Sequence, residues 1–239
     1  MLYTEEMARA NIRNREGKRV FFLGKGDTLT SGARDFLARE RIEIRPGEEA
    51  KLQRYRLLNG AELTEKPEQM THLYGDVLVP KTHPRIGFRG AMDSLEAEII
   101  LCQLRCDAWR QELGEILELA RMLIRCEVMG EPVPEGKLCG LTEEEQRRYS
   151  HRPQDYYGQA HFMPSYSDGE TVVLLNKCRC MARNAELAAA RAFTDGDDRT
   201  RREDVLKALN RMSSMIYILM IREKAAQDGK RGRCGGRTD

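Results

Sequence analysis

From about residue 88 to residue 228 apolar side chains recur every three to four positions, and this period constrains the fold more than any other feature of the chain. Four long segments carry it: "GAMDSLEAEIILCQLRCDAW", "RQELGEILELARMLIRCEVMG", "DGETVVLLNKCRCMARNAELAAARAF" and "RREDVLKALNRMSSMIYILMIREKAA". The second is closed by Gly130 and Pro132, the residues that stop a helix. Between the second and third, "LTEEEQRRYS" opens with a capping box, Thr142 as N-cap and Glu145 three residues on. Successive amphipathic helices bury their faces against one another, so the C-terminal two-thirds is expected to be a helical bundle and the protein mainly α.

The first helix is apolar on two sides. Leu95, Ile99, Cys102 and Cys106 form one stripe and Ala97, Ile100 and Leu104 another, so neighbours are expected on both sides, within the bundle or across an oligomer interface. Asp93 falls inside the second stripe, where a carboxylate should be paired. The last helix raises a similar problem. "DVLKALNRMSSMIYILM" (204–220) reads as buried on most sides, yet Asn210, Arg211, Ser213 and Ser214 interrupt it. A buried polar group without a partner costs about 1–3 kcal/mol. Either the helix has a wet edge or a ligand supplies the partners.

The N-terminal third has a different texture. "KRVFFLGKGDTLTSGARDFLARERIEIRP" alternates a β-rich run (Val20 to Leu23), a turn, a helix from about Ser31 to Glu40 and a second extended piece (Ile42 to Ile44), which predicts a small strand–helix–strand unit. Its "GKGDT" lacks the G-x-x-x-x-G-K-[ST] spacing of a phosphate loop and reads as a plain turn. Residues 46–70 carry little periodic signal and are expected to form a linker or irregular lobe. The expected organisation is therefore a small α/β lobe and linker over 1–75, the bundle over 76–228, and a disordered Gly- and charge-rich tail over 229–239.

Charge narrows the partners. Lysine and arginine total 40 against 38 aspartates and glutamates, a formal net charge of +2, which is not the clustered basic excess of a nucleic-acid binder. No apolar run approaches a membrane span and the first residues lack a secretory h-region, so a cytosolic protein is expected. The seven cysteines show no C-x-x-C spacing, which argues for reduced thiols and against a metal site built from them.

Three groups on the helices carry chemistry: Asp93; Arg179, Arg183 and Glu186; and Asn210, Arg211 and Ser213. Spacings of four and three set Arg179, Arg183 and Glu186 within about 60° of one another along one helix edge. A solvated charge row is the ordinary reading of that spacing. If the helices instead bring Asp93, Arg179, Arg183 and Asn210 to a common end, one aspartate cannot balance the arginines, whereas a polyphosphate, and hence a nucleotide, would. A di-iron bundle needs Glu-x-x-His pairs, and none of His72, His83, His151 and His161 follows a glutamate by three.

In order along the chain, "HLYGDVLVPKTHPRIGFRGAMDSLEAEI", "GLTEEEQRRYSHRP", "HFMP", "LLNKCRCMARNAELAAARAF" and "LKALNRMSSMIYILM" resemble the ATP:cob(I)alamin adenosyltransferases, in particular the ethanolamine-utilisation type, related to the PduO type. The resemblance implies a ferritin-like up-and-down five-helix bundle, trimeric, with active sites between subunits that bind Mg²⁺, ATP and a corrinoid. It implies transfer of the 5′-deoxyadenosyl group of ATP to the cobalt of reduced cobalamin, forming adenosylcobalamin and releasing triphosphate. The family's "R-x-x-x-R-x-x-E" falls on Arg179, Arg183 and Glu186, its "L-N-R-L-S" on Leu209 to Ser213 with Asn210 and Arg211 at the nucleotide, and its "K-x-x-P-R" on Lys81 and Arg85 near the phosphates. An arginine–aspartate pair of the family falls on Arg179 and Asp93, and the place of the side chain at the corrin's lower face falls on His161 with Phe162 beside it, His161 packing or hydrogen-bonding rather than ligating cobalt.

The resemblance also implies an electron-donating reductase and an association with a bacterial microcompartment, with residues 1–14 (Leu2, Met7, Ile12) as a thin-faced docking helix for its shell. The Thr- and Gly-rich phosphate loop of the PduO type is absent, "THLYGD" (Thr71 to Asp76) standing nearest its place. The Cys-Cys-x-x-Cys cluster of some relatives is missing, since residues 1–101 contain no cysteine. The competing reading is a non-catalytic corrinoid carrier or microcompartment-associated assembly protein.

Overall fold

The structure is a computed structural model that describes residues 1–15, 17–47, 54–195 and 199–234. It divides into two units. The first holds Met1–Met70 with Asp76–Leu78, and the second holds Thr71–Gly75 with Val79–Asp239.

In the first unit, β1 (Leu2–Tyr3) and α1 (Glu5–Ala10) precede β2 (Arg13–Arg15), β3 (Lys18–Leu23), β4 (Thr28–Leu29), α2 (Ser31–Arg39) and β5 (Glu43–Pro46). The strand–helix–strand expectation is met: β3 and β5 pair in parallel, Phe21 opposite Ile44, with α2 between them in sequence. Thr30 caps α2 by accepting from the Ala33 amide, and Ala33, Phe36 and Leu37 bury its apolar face with Phe21 and Ala8. The "GKGDT" turn is closed on itself. The Asp27 carboxylate accepts from the Gly24 amide at 3.2 Å and pairs with the N-terminal ammonium at 2.7 Å. A side chain at Gly47 would meet the Gly24 backbone at 2.9 Å, so the two glycines let β5 leave close beside the turn.

Two expectations fail in this region. Residues 46–70 are not irregular throughout: β6 (Tyr55–Leu57) and β7 (Glu62–Leu63) form an antiparallel pair, β8 (Met70–Tyr74) begins at the end of the segment, and β6 lies parallel to the start of β9 (Val77–Pro80), with Arg56 opposite Val77. Strands of two or three residues have no period to read, and pairing with distant residues defines them. Residues 1–14 do not form one docking helix either, because Leu2 lies in β1 and Ile12 beyond the six-residue α1.

The second unit is built on α3 (Pro84–Arg105), α4 (Arg110–Met129), α5 (Glu143–His151), α6 (Pro153–Tyr157), α7 (Glu170–Phe193) and α8 (Glu203–Cys234). Pro84 sits in the first turn of α3, where its missing N–H is not needed, and His83 Nδ1 accepts from the Arg85 amide. Gly130 ends α4 in the left-handed conformation at φ 70°. Both halves of the expected capping box at Thr142 and Glu145 are formed. α8 runs on to Cys234, past the start expected for a disordered tail, and residues 235–239 lie outside the described residues.

α7 pairs antiparallel with both α3 and α8. Phe88 meets Phe193 edge-on, Glu98 pairs with Lys177, and Asn210 bonds to Glu186. Leu95, Ile99, Leu113, Ile116, Leu123, Leu175, Met212, Ile216 and Leu219 form the core, and Ala182, Ala185 and Ala189 give α7 a small-residue face that its neighbours can approach closely. Of the two apolar stripes on α3 only one is covered. Leu95, Ile99 and Cys102 are buried, while Ala97, Ile100 and Leu104 face outward, Leu104 at 70% exposure.

The start of α8 is anchored electrostatically. Asp204 accepts two bonds from Arg202, at 2.8 and 2.9 Å, and one from the Val133 amide at 2.9 Å, while Arg202 also reaches the Cys126 and Glu131 carbonyls. The Arg202 guanidinium, with the Val133 amide, holds the Asp204 carboxyl down to about 2. A depressed carboxyl stabilises the fold above its unfolded value near 3.8 and loses that contribution as pH falls toward 2. Asp204→Asn should therefore cost about 1–2 kcal/mol at pH 7. Denaturant melts of the two proteins should converge between pH 4 and about 2; a gap that ignores pH would contradict this assignment.

Candidate active site

The polar residues that interrupt α7 and α8 meet across the α7–α8 contact. Asn210 Nδ2 donates to Glu186 Oε1 at 2.9 Å, and its Oδ1 accepts from the Arg211 guanidinium. Ser213 and Ser214 both donate to the Asn210 carbonyl, at 2.9 and 3.1 Å. The hydroxyls of α8 are thus satisfied inside the chain by bonds to the preceding turn, and the expectation that a ligand must supply their partners does not hold.

One to two turns toward the N-terminus of α7, Arg179 donates twice to Asn176 Oδ1, and its guanidinium carbon lies 5.7 Å from the centre of the Tyr217 ring. Tyr217 in turn stacks on His161, with ring centroids 5.8 Å apart and planes within 16°. The His161 ring is fully engaged: Nε2 lies 3.2 Å from the His151 carbonyl and Nδ1 2.6 Å from the Tyr217 hydroxyl. A carbonyl only accepts, so Nε2 carries the proton and, in the neutral imidazole, Nδ1 accepts from the tyrosine. Burial raises the Tyr217 hydroxyl, against the opposing charge of Arg179, which keeps it protonated as a donor. Phe162 packs against the main core from the same segment.

One sequence-based pairing is not formed, and one expected site residue has a partner that the sequence did not show. Asp93 does not pair with Arg179 within the chain. It is exposed, and among the described residues no ion pair or hydrogen bond engages it. Arg179 is turned toward α8, where the Tyr217 face holds it. Arg85, expected near phosphates, is committed to Glu127. The Glu127 carboxylate, 1% exposed, accepts from Arg85 Nε and, at 2.8 Å, from Arg89 Nε, while Arg85 also reaches the Glu127 carbonyl at 3.1 Å. A carboxylate out of water needs counterions, and two guanidinium groups supply them here. His83 beside them is pushed down, by burial first and then by Arg85 and Arg89.

Arg183, by contrast, is exposed, and among the described residues it makes no ion pair or hydrogen bond. Arg183 and Asp93 both fall between the Phe88–Phe193 and Glu98–Lys177 contacts on neighbouring helices. Lys81 is exposed just before α3. Arg211 lines a cavity between α4, α5 and α8.

Sequence reasoning missed Tyr217, Arg89 and Glu127. Glu127 left a signal, since it continues the buried spacing Ile116, Ala120, Leu123 along α4, where a charged residue is out of place. Burial pushes the Cys106 thiol up to about 11 and the Cys139 thiol up to about 12, which keeps both protonated near neutrality.

Comparison with known proteins adds a family. The profile described as Cobalamin adenosyltransferase matches residues 63–223. The corrinoid adenosyltransferase EutT of Salmonella typhimurium strain LT2 is 36% identical over 160 residues, 66% of this chain and 60% of that protein. Its counterpart from Escherichia coli strain K12 is 35% identical over the same length and the same shares. The matched part of the chain thus spans about 60% of the length of these curated relatives. Among solved structures, a variant PduO-type ATP:corrinoid adenosyltransferase from Lactobacillus reuteri, complexed with cobalamin and ATP, aligns at a TM-score of 0.47 with 15% identity, covering 74% of this chain and 88% of that one.

Proposed function

The chain belongs to the cobalamin adenosyltransferase family, and from that premise we propose that it moves the 5′-deoxyadenosyl group of ATP onto the cobalt of reduced cobalamin, releasing triphosphate. The observation that carries this reading is the α7–α8 contact, where Asn210 bonds to Glu186 and, about two turns along α7, Arg179 lies over Tyr217, which stacks on His161.

The chemistry asked of these residues is modest. Reduced cobalt is itself the nucleophile and attacks the 5′ carbon of ATP; the bond from that carbon to the triphosphate oxygen breaks, and its electron pair leaves with the triphosphate. No proton need move, so no general base is required. The protein must place carbon near cobalt and stabilise negative charge collecting on the leaving group. Arg183, without a partner among the described residues, is a cation available for that charge. Asn210, held by Glu186, is set to orient the nucleoside, and Arg211 reaches this seam through Asn210. Glu186 also suits a Mg²⁺ ion that is held chiefly by phosphate oxygens and one carboxylate, and such an ion would share the charge on the leaving group.

The corrinoid takes the His161 and Phe162 end. With both ring nitrogens of His161 occupied, the imidazole presents a face rather than a lone pair, which suits a lower corrin surface kept free of an axial ligand. Lys81 is placed at the phosphate end, and Arg85 acts there only through the Glu127 pair that fixes the start of α3.

Two features support a trimer with sites between subunits. Ile100, Leu101 and Leu104 on α3 and Val173 and Leu187 on α7 are apolar and exposed. Asp93 and Arg183, at a common level on those helices, are charged without partners among the described residues. A neighbouring copy would cover the first and give Asp93 a cationic partner, leaving Arg183 to the triphosphate. This assembly of five-helix bundles, counting α5 and α6 as one helix broken at Pro153, would serve ethanolamine utilisation in the cytoplasm, with a reductase to deliver the electron and a microcompartment as its setting. Among the described residues no helix is long and apolar enough to cross a membrane.

The reading is tested by incubating the purified protein with chemically reduced cobalamin and Mg·ATP under exclusion of oxygen. The absorption spectrum should change to that of an alkylcobalamin whose bond is cleaved by light. A spectrum that never departs from the enzyme-free control would overturn it.

A further inference from the structure

Beside the first turns of α8 lies a half-open cavity of about 830 Å³, lined by α4, the segment 133–138, α5 and α8. Its volume falls in the upper part of the range, roughly 300–1,000 Å³, typical of small-molecule sites. Arg179, Arg183, Glu186, His161 and Tyr217 take no part in its lining.

The walls are chemically uneven. Leu119, Met122, Leu138 and Ala208 supply apolar surface. Gln146, 1% exposed, lines the cavity and donates its amide nitrogen to the Leu141 carbonyl at 3.0 Å, which identifies the other end as oxygen. That oxygen, Oε1, has no hydrogen-bond partner among the described residues. An acceptor left so costs stability until a donor reaches it.

The charges are equally specific. Five basic and five acidic side chains line the cavity. Lys207 pairs with Glu143, Arg121 with Glu118, and Asp204 with Arg202. Arg211 is half-buried, and among the described residues it has no carboxylate partner, only the neutral Asn210 amide. Burial, reinforced by Arg147 and only partly opposed by Glu143 and Glu186, pushes this guanidinium below its ordinary value. Arg125 pairs with Glu131, and Lys137, which also forms no ion pair among the described residues, is exposed, so the half-buried Arg211 is the cation that a single negative charge compensates. A triphosphate would be repelled.

We propose that this cavity is a second small-molecule site, taking a compact apolar molecule that carries one negative charge and one N–H or O–H donor. The donor satisfies Gln146, the anion sits with Arg211, and the apolar body covers Met122 and Ala208. The cavity adjoins the adenosyl-transfer seam only through the Arg211–Asn210 bond, and its occupancy is read without ATP or cobalamin.

The probe is 8-anilinonaphthalene-1-sulfonate, which has an apolar body, one N–H and one sulfonate, followed by fluorescence titration of the full chain. Saturable binding is expected, at least tenfold weaker in Ala208→Trp, which fills the space, and several-fold weaker in Gln146→Leu. The uncharged N-phenyl-1-naphthylamine should also bind at least tenfold more weakly than the sulfonate. If Ala208→Trp loses its circular dichroism signal, Met122→Trp fills the same space from α4. Equal sulfonate binding by the parent and a folded cavity-filling variant, or equal affinity for the charged and uncharged probes, would overturn the proposal.

Discussion

Replacing Arg183 by alanine is expected to lower adenosyl transfer by about two to three orders of magnitude, the effect of removing one preorganised cation from developing charge, while leaving the fold untouched. The two halves of this expectation have separate causes. Arg183 is exposed and engages no other described residue, so its truncation removes no contact from the chain. Substitutions at such positions stay within about ±0.5 kcal/mol of the parent. Its value lies in the charge it can offer a leaving triphosphate. Steady-state kinetics should show the loss in kcat/KM for ATP, with an unchanged melting curve. Turnover within a few-fold of the parent would reduce Arg183 to one member of a solvated charge row.

The second large effect is structural. Removing the Glu127 carboxylate by Glu127→Leu should destabilise the protein by about 3 kcal/mol, the lower end of what breaking a buried ion pair costs. Arg85 and Arg89 would be left facing each other without the anion that both now hold. Their side chains are 23% and 20% exposed, so part of the penalty is relieved by water. Arg89 also donates to the Leu73 carbonyl at 2.7 Å, so the loss should spread from α3 to β8. Urea denaturation measures the change, and hydrogen exchange at residues 71–75 locates it. A cost below about 1 kcal/mol would mean that the two arginines find other partners.

The helical unit was largely legible because its signals are local. Gly130, the Thr142–Glu145 box and the buried spacing of Leu95, Ile99 and Cys102 each state a helix or its end within a few residues. The parallel β3–β5 pair was legible for a related reason, since two apolar runs flank a capped helix. What escaped depends on distant partners. β6 exists through pairing with Val77 and Leu78, and nothing in "YRL" announces that.

The site was legible in its members and less so in their contacts. Periodicity placed Arg179, Arg183 and Glu186 on one edge, but could not say that Arg179 turns to the Tyr217 face or that Ser213 and Ser214 bond to the preceding turn. The Arg85–Glu127 pair could not be read, because nothing adjacent in sequence points to a partner 42 residues away. The outer stripe of α3 was read correctly as apolar, and a single chain leaves it uncovered.

The central claim is that one carbon atom passes from nucleotide to cobalt, and isotopic labelling follows it most directly. ATP labelled with carbon-13 at the 5′ position, supplied with Mg²⁺ and reduced cobalamin, should yield a corrinoid whose mass includes a labelled adenosyl group, in step with the triphosphate released. Label that stays on the nucleotide, whether the ATP is hydrolysed or only left bound beside an unaltered corrinoid, would contradict the account and leave a carrier in place of an enzyme.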